Sequence, residues 1–165
     1  RYVRYRPDLA ATRLCVVDPA GSAFFESYVT GDPAARGRCS DVVEGIGRPR
    51  VEPSFVVELV DRMVEVSDCA AVAAARWLER RTGRRFGPST GANLIGVLVL
   101  AEEMRAAGEA GSVVTLGCDG GERYAATVYD DTWVRDRCPG LDAWAGRFAR
   151  FEAGEGFDVS GLRVA

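Results

Sequence analysis

Residues 63–83 read MVEVSDCAAVAAARWLERRTG, and the fold turns on this stretch. Met63 to Val66 is a short run, largely apolar, with the length of a β-strand. Ser67 and Asp68 then supply an N-cap for a helix. Beyond them Ala70, Ala73, Ala74, Trp77 and Leu78 recur at three- and four-residue spacing, and Gly83 stands where a left-handed cap closes a helix. A strand passing straight into a helix is the repeating step of an α/β layer.

Upstream, Arg13 to Val17 carries Leu14, Val16 and Val17 and stops at Asp18-Pro19 and Gly21, which suits a parallel strand covered on both faces. Residues 30–47 read as a loop, with Gly31, Asp32, Pro33, Gly37, Ser40, then Gly45-Ile46-Gly47, and a loop of that length in a compact domain is usually functional. Ser54 is placed to cap a short helix through Phe55, Val56, Val57, Leu59 and Val60. Downstream, a second long helix follows Gly87-Pro88-Ser89-Thr90-Gly91 and runs through Leu94, Ile95, Leu98, Ala101 and Met104 to about Gly108. Its first half is apolar on every side, which makes it central. Val113 to Leu116 reads as a third strand, followed by a turn at Asp119-Gly120-Gly121, a mixed segment from Tyr124 to Trp133, and a glycine-rich tail after Cys138. The pattern predicts an α/β fold, a three-layer sandwich with a mostly parallel sheet. Ligands in such folds gather at the carboxyl ends of strands and at helix N-termini, and the loop at Gly45-Ile46-Gly47 and the helix start at Ser89 are such places.

Composition removes several chemistries. The net charge of -3 gives no basic footprint for nucleic acid. The longest apolar run, Leu94 to Ala101, is too short to span a bilayer, so no membrane is expected. Histidine is absent, and with it Ser-His-Asp triads, Cys-His dyads and most zinc sites; no metal is expected. Cys15, Cys39, Cys69, Cys118 and Cys138 form no C-x-x-C pair and read as reduced cytoplasmic thiols in small apolar sites. Every one of the 21 Lys+Arg positions is arginine, so no side-chain amine is present to form a Schiff base with an aldehyde.

Three segments occur in order: Val43-Glu44-Gly45-Ile46-Gly47, then Gly87-Pro88-Ser89-Thr90-Gly91-Ala92-Asn93, then Val113-Val114-Thr115-Leu116 leading to Asp119-Gly120-Gly121-Glu122-Arg123-Tyr124. Asp130-Asp131-Thr132-Trp133 is a weaker fourth. This order resembles the second half of the cysteine synthase and cystathionine β-synthase family, the fold-type-II pyridoxal-phosphate enzymes (tryptophan synthase β-like). The likeness is strongest to an actinobacterial branch that includes cysteine desulfhydrases, where a segment like Arg1 to Tyr5 follows the loop that cups the cofactor phosphate.

The resemblance implies pyridoxal 5'-phosphate as cofactor. It sets Ser89 against the pyridine nitrogen, with Gly45 and Gly47 lining the substrate side and Asp119 near the nitrogen side. A small hydroxyl between Gly87 and Gly91 is also approachable by a flat ring on physical grounds, though Ser89 or Thr90 as a plain helix cap remains open. Ile46 and Arg48 are substrate-side candidates; Arg48 and Arg50 are placed either to hold an anionic group or to form a solvated loop edge. Asp119 reads equally as an Asx turn. Glu122-Arg123-Tyr124 suggests structural ion pairing, Trp77 core, and Cys118 packing.

The expected division is residues 1–135 as part of the cofactor-binding domain and 136–165 as a tail packed on it or on a partner subunit. The Schiff-base lysine, the phosphate cup and the loop gripping the substrate carboxylate are expected in a missing N-terminal half. The chain alone therefore contributes no catalytic residue of its own and should be inactive. The implied reaction takes a small amino acid with a β-leaving group through loss of the Cα proton and that group. A sulfur donor then adds to give cysteine, the cysteine synthase-like reaction that is the first reading; in the alternative, a cysteine desulfhydrase, water takes over and pyruvate and ammonia emerge. A cytoplasmic homodimer is expected. A non-catalytic, lysine-free module or partner subunit is the reading from another class, and a Rossmann-like nucleotide binder fits poorly because Asp18-Pro19-Ala20-Gly21 replaces the glycine-rich turn.

Overall fold

In a computed structural model describing residues 2–165, the sheet has three strands in the order β1-β2-β3. Strand β1 (Cys15–Pro19) and strand β2 (Arg62–Val66) are parallel, with Val17 opposite Val64 and Asp18 opposite Glu65. Strand β3 (Arg163–Val164) is antiparallel to β2. Arg1, the first residue of the segment likened to the relatives, lies outside the described residues.

Side chains alternate across a strand, so this register defines two faces. One carries Val64 and Val66, in the main apolar cluster, and Cys15, Val17 and Val164, packed against it. Helix α3 (Pro88–Ala107) lies on this face, and a Cβ on Gly96 would overlap Val17. The other carries Asp18, Met63, Glu65 and Arg163 under helix α1 (Ala23–Thr30). There Asp18 Oδ2 accepts from the Phe25 amide at 2.9 Å, and the Arg163 guanidinium sits 4.6 Å from the Phe25 ring centre. Helices thus cover both faces of the sheet, a three-layer α/β arrangement as expected.

Helix α2 (Asp68–Thr82) begins where the sequence places it, since Ser67 Oγ accepts from the Ala70 amide and Gly83 closes the helix at φ 70°. Ala70 to Ala75 are all buried. Their small side chains let α3 approach closely, and Gly91 of α3 faces the Ala71 carbonyl and lies within 2.9 Å of the Ala75 amide by its would-be Cβ. Helices α4 (Asp131–Arg137) and α5 (Leu141–Glu152) follow. Helix α5 packs on α2 through fully buried Phe148, stacked on Trp77 with ring centres 5.2 Å apart.

Three expectations are corrected. Val113 to Leu116 is not a strand of the sheet; Val114 is 91% and Leu116 74% exposed, an apolar run with no strand beside it among the described residues. The helix expected from Ser54 shrinks to a single 3₁₀ turn, Val57–Leu59. Of the cysteines, Cys39 and Cys118 are exposed rather than packed in apolar sites.

Candidate functional site

Helix α3 starts at Pro88 with Gly87 as N-cap and no side-chain cap. Thr90 does not cap it: its Oγ1 accepts from the Cys118 amide at 2.9 Å, while Asn93 Nδ2 donates to the Leu116 carbonyl at 3.1 Å. These bonds fasten segment 116–118 beside the first turn. Ser89 is 7% exposed, and neither its hydroxyl nor its amide has a hydrogen-bond partner among the described residues. The hydroxyl itself still reaches solvent through the cleft, where a ligand could take up its bonding capacity together with the free amides of a helix N-terminus.

Ser89 opens on a cleft of about 640 Å³. Gly45 and Ile46 line it from the loop after Val43, and Leu116, Asp119 and Tyr124 from the opposite side. Gly45 is at φ 86° with nothing within 4 Å of a would-be Cβ, which allows close backbone approach and hinging. The loop is hung from the core by buried Val42 and Val43, whose amides donate to Ser40 Oγ at 3.0 and 2.8 Å. A second cleft of about 470 Å³, lined by Glu79, Arg84 and Glu122 among others, shares the Gly117 to Asp119 ridge.

Asp119 forms no Asx turn; its Oδ2 accepts from the Tyr124 hydroxyl at 2.8 Å, and Oδ1 is buried without a partner. Burial, and then this bond to Asp119, pushes the Tyr124 phenol up to about 12. A Cβ on Gly87 would overlap Asp119 Oδ1, and one on Gly91 the backbone of α2. The two glycines flanking Ser89 are thus required by neighbouring protein atoms. Arg123 reaches Glu44 across the cleft mouth at 3.4 Å.

Among the residues singled out from the sequence, Ser89, Gly45, Ile46 and Asp119 share one cleft. Gly47 and Arg48 do not line it. Gly47 packs on Pro19, with a would-be Cβ 2.6 Å from the proline ring. The Arg48 amide donates to Ser22 Oγ at 3.0 Å and its guanidinium folds back on the Gly47 carbonyl at 2.6 Å. Tyr124, Thr90 and Cys118 were underrated: Cys118 is exposed on the cleft, and the Thr90 and Tyr124 hydroxyls position its wall. The signal for Tyr124 was its place five residues after Asp119.

Comparison with known proteins identifies the family. A family model described as "Pyridoxal-phosphate dependent enzyme" matches residues 1–119. The chain is 55% identical over 142 residues to the L-cysteine desulfhydrase Cds1 of Mycobacterium tuberculosis, covering 86% of this chain and 38% of that protein. It is 32% identical over 140 residues to cysteine synthase 2 of Neurospora crassa, covering 78% of this chain and 30% of that protein. A solved structure of a hydrogen sulfide-producing enzyme from Fusobacterium nucleatum superposes with a TM-score of 0.61 at 24% identity, over 82% of this chain and 37% of that one, a likeness of fold. The chain spans less than two-fifths of the length of these relatives. With the family model covering residues 1–119, the chain belongs to the pyridoxal-phosphate dependent enzymes, fold type II.

Proposed function

We propose that this chain forms the ring-nitrogen wall of the pyridoxal-phosphate site in an enzyme that eliminates the β-substituent of L-cysteine. The observation that carries the reading is the unpartnered hydroxyl of Ser89, a largely buried residue that lines the cleft from the first turn of a twenty-residue helix. The residues present suit a pyridine ring: a free hydroxyl and a free amide at the helix N-terminus, an open glycine in Gly45, and an apolar wall in Ile46 and Leu116. When bound, the cofactor supplies a sink for the electron pair left at Cα after proton removal.

Ser89 holds the ring nitrogen through its hydroxyl. Being neutral, it does not force that nitrogen to stay protonated, as a carboxylate would. Gly45 and Ile46 close the substrate side and keep water from the reacting carbon. Gly47 and Arg48 set the course of that loop from outside the cleft. Tyr124 fixes Asp119 against Gly87, so this pair positions the helix start.

The 55% identical desulfhydrase favours the overall reaction in which L-cysteine and water give pyruvate, ammonia and sulfide. The cysteine synthases favour a second reading, in which a sulfur donor adds after the same elimination. Either needs an amine, and with no lysine this chain alone is inactive. The remaining parts, an N-terminal half with the lysine and phosphate cup, and a cytoplasmic homodimer, belong to the same proposal. The test adds pyridoxal phosphate to this chain and to a version extended upstream. Only the extended protein should develop a borohydride-reducible band at about 410–430 nm and release sulfide from L-cysteine. A reducible adduct on this chain, or an extended protein that binds no cofactor, would defeat the proposal; cofactor binding without sulfide release would defeat its desulfhydrase form.

A further inference from the structure

The first turn of α2 lies where two features meet. Asp68, its first residue, accepts from Ser40 Oγ at 2.7 Å, and Ser40 in turn receives the Val42 and Val43 amides that lead into the cleft-lining Glu44, Gly45 and Ile46. Cys69, the next residue, lies against the turn that follows α4. A Cβ on Gly140 would sit 3.8 Å from the Cys69 sulfur and 3.9 Å from its Cβ. Cys138, which ends α4 two residues before Gly140, is 1% exposed in the apolar cluster against which Cys69 also packs. Both cysteines are free thiols, and Cys69 is partly exposed.

We infer that Cys69 and Cys138 form a redox-sensitive pair whose disulfide ties the end of α4 to the first turn of α2 and stiffens the anchor of the cleft loop. The inference does not depend on what the cleft binds. Cys69 reacts first, because it is the more accessible of the two thiols. Burial, followed by contact with Cys69, raises the Cys138 thiol above its ordinary range, so Cys138 acts second. The oxidant is a hydroperoxide. The Cys69 sulfur attacks the terminal peroxide oxygen, the O–O bond breaks, and a sulfenic acid and an alcohol form. The Cys138 sulfur then attacks the Cys69 sulfur, the S–O bond breaks, and the oxygen leaves as water with the Cys138 proton. Two thiols are oxidised and one hydroperoxide is reduced.

The test treats the full chain with tert-butyl hydroperoxide, blocks remaining thiols, and maps peptides without reduction. The expected product is a linked 69–138 peptide pair about 2 Da lighter than the sum of its parts, with two of the five free thiols lost and restored by dithiothreitol. Amide exchange across residues 40–46 should be several-fold slower in the oxidised form. In Cys138→Ser, Cys69 should run on to sulfinic acid, with exchange at 40–46 unchanged by oxidant. Sulfinic acid at Cys69 beside a free Cys138 in the unaltered chain, or cross-links mainly to Cys39 or Cys118, would overturn the pair. A 69–138 bond that leaves exchange at 40–46 unchanged would overturn its link to the cleft.

Discussion

Replacing Gly91 with alanine should destabilise the protein, although alanine is the better helix former by about 1 kcal/mol. Gly91 lies inside α3, and a methyl group there would overlap the Ala71 carbonyl oxygen and sit 2.9 Å from the Ala75 amide nitrogen. Both neighbours are backbone of α2, so neither can rotate aside, and the helices must part by about 1 Å. Overpacking against backbone falls at the upper end of the usual range, about 3 kcal/mol, and after the gain in helix propensity a net loss of about 2 kcal/mol remains. For a domain of this size that is a fall in Tm of about 4–8 °C. Gly146 supplies the control, because it lies inside α5 with only the Arg150 guanidinium near a would-be Cβ, at 3.9 Å. Gly146→Ala should therefore stabilise the protein by about 0.5–1 kcal/mol. Thermal unfolding followed by circular dichroism reads both variants. If Gly91→Ala stabilises as Gly146→Ala does, α2 and α3 are not in backbone contact and the frame around Ser89 is wrong.

Two further outcomes follow from single side chains. Asp18 is buried, and burial first, with Glu65 adding, raises its pKa to about 6 against the opposing Ser22, Phe25 amide and Arg48. The folded state thus holds the Asp18 proton more tightly than the unfolded chain, so the contribution of Asp18 to stability is greatest below about pH 4, declines between about pH 4 and 6, and is flat above; relative to Asp18→Asn, the unaltered protein should lose on the order of 3 kcal/mol across that window in urea unfolding, and a difference that does not change with pH would contradict the burial of this carboxyl. Thr90→Val removes the acceptor for the Cys118 amide, and should cost about 1 kcal/mol and speed amide exchange at Cys118; unchanged exchange there would show that Thr90 does not hold the cleft wall.

The long helices were legible because their ends carry side-chain and backbone signals: Ser67 and Gly83 bracket α2, and Gly108 ends α3 at φ 66°. Helix α1 carried the same signals, Ser22 as N-cap and Gly31 as left-handed cap, but its eight residues give little more than two turns of period to read. Val113 to Leu116 misled because apolar content reports that a run can be covered, not that a strand lies beside it. Strand β3 escaped because two residues, one of them arginine, leave no period to read. At the site, ordered motifs located Ser89, Gly45, Ile46 and Asp119 together. Contacts across the fold decided the rest: Gly87 and Gly91 serve Asp119 and α2, and Arg48 serves its own loop. Such contacts join residues far apart in the chain, which local spacing does not record.

The proposed ring-nitrogen role of Ser89 is tested most directly by ¹⁵N NMR of an upstream-extended, lysine-bearing protein loaded with pyridoxal phosphate labelled at the pyridine nitrogen. An unprotonated, hydrogen-bonded nitrogen is expected, shifting toward the protonated position in Ser89→Asp and toward the free, unbonded position in Ser89→Ala. A nitrogen resonance that is the same in all three proteins would place the ring elsewhere and contradict the assignment.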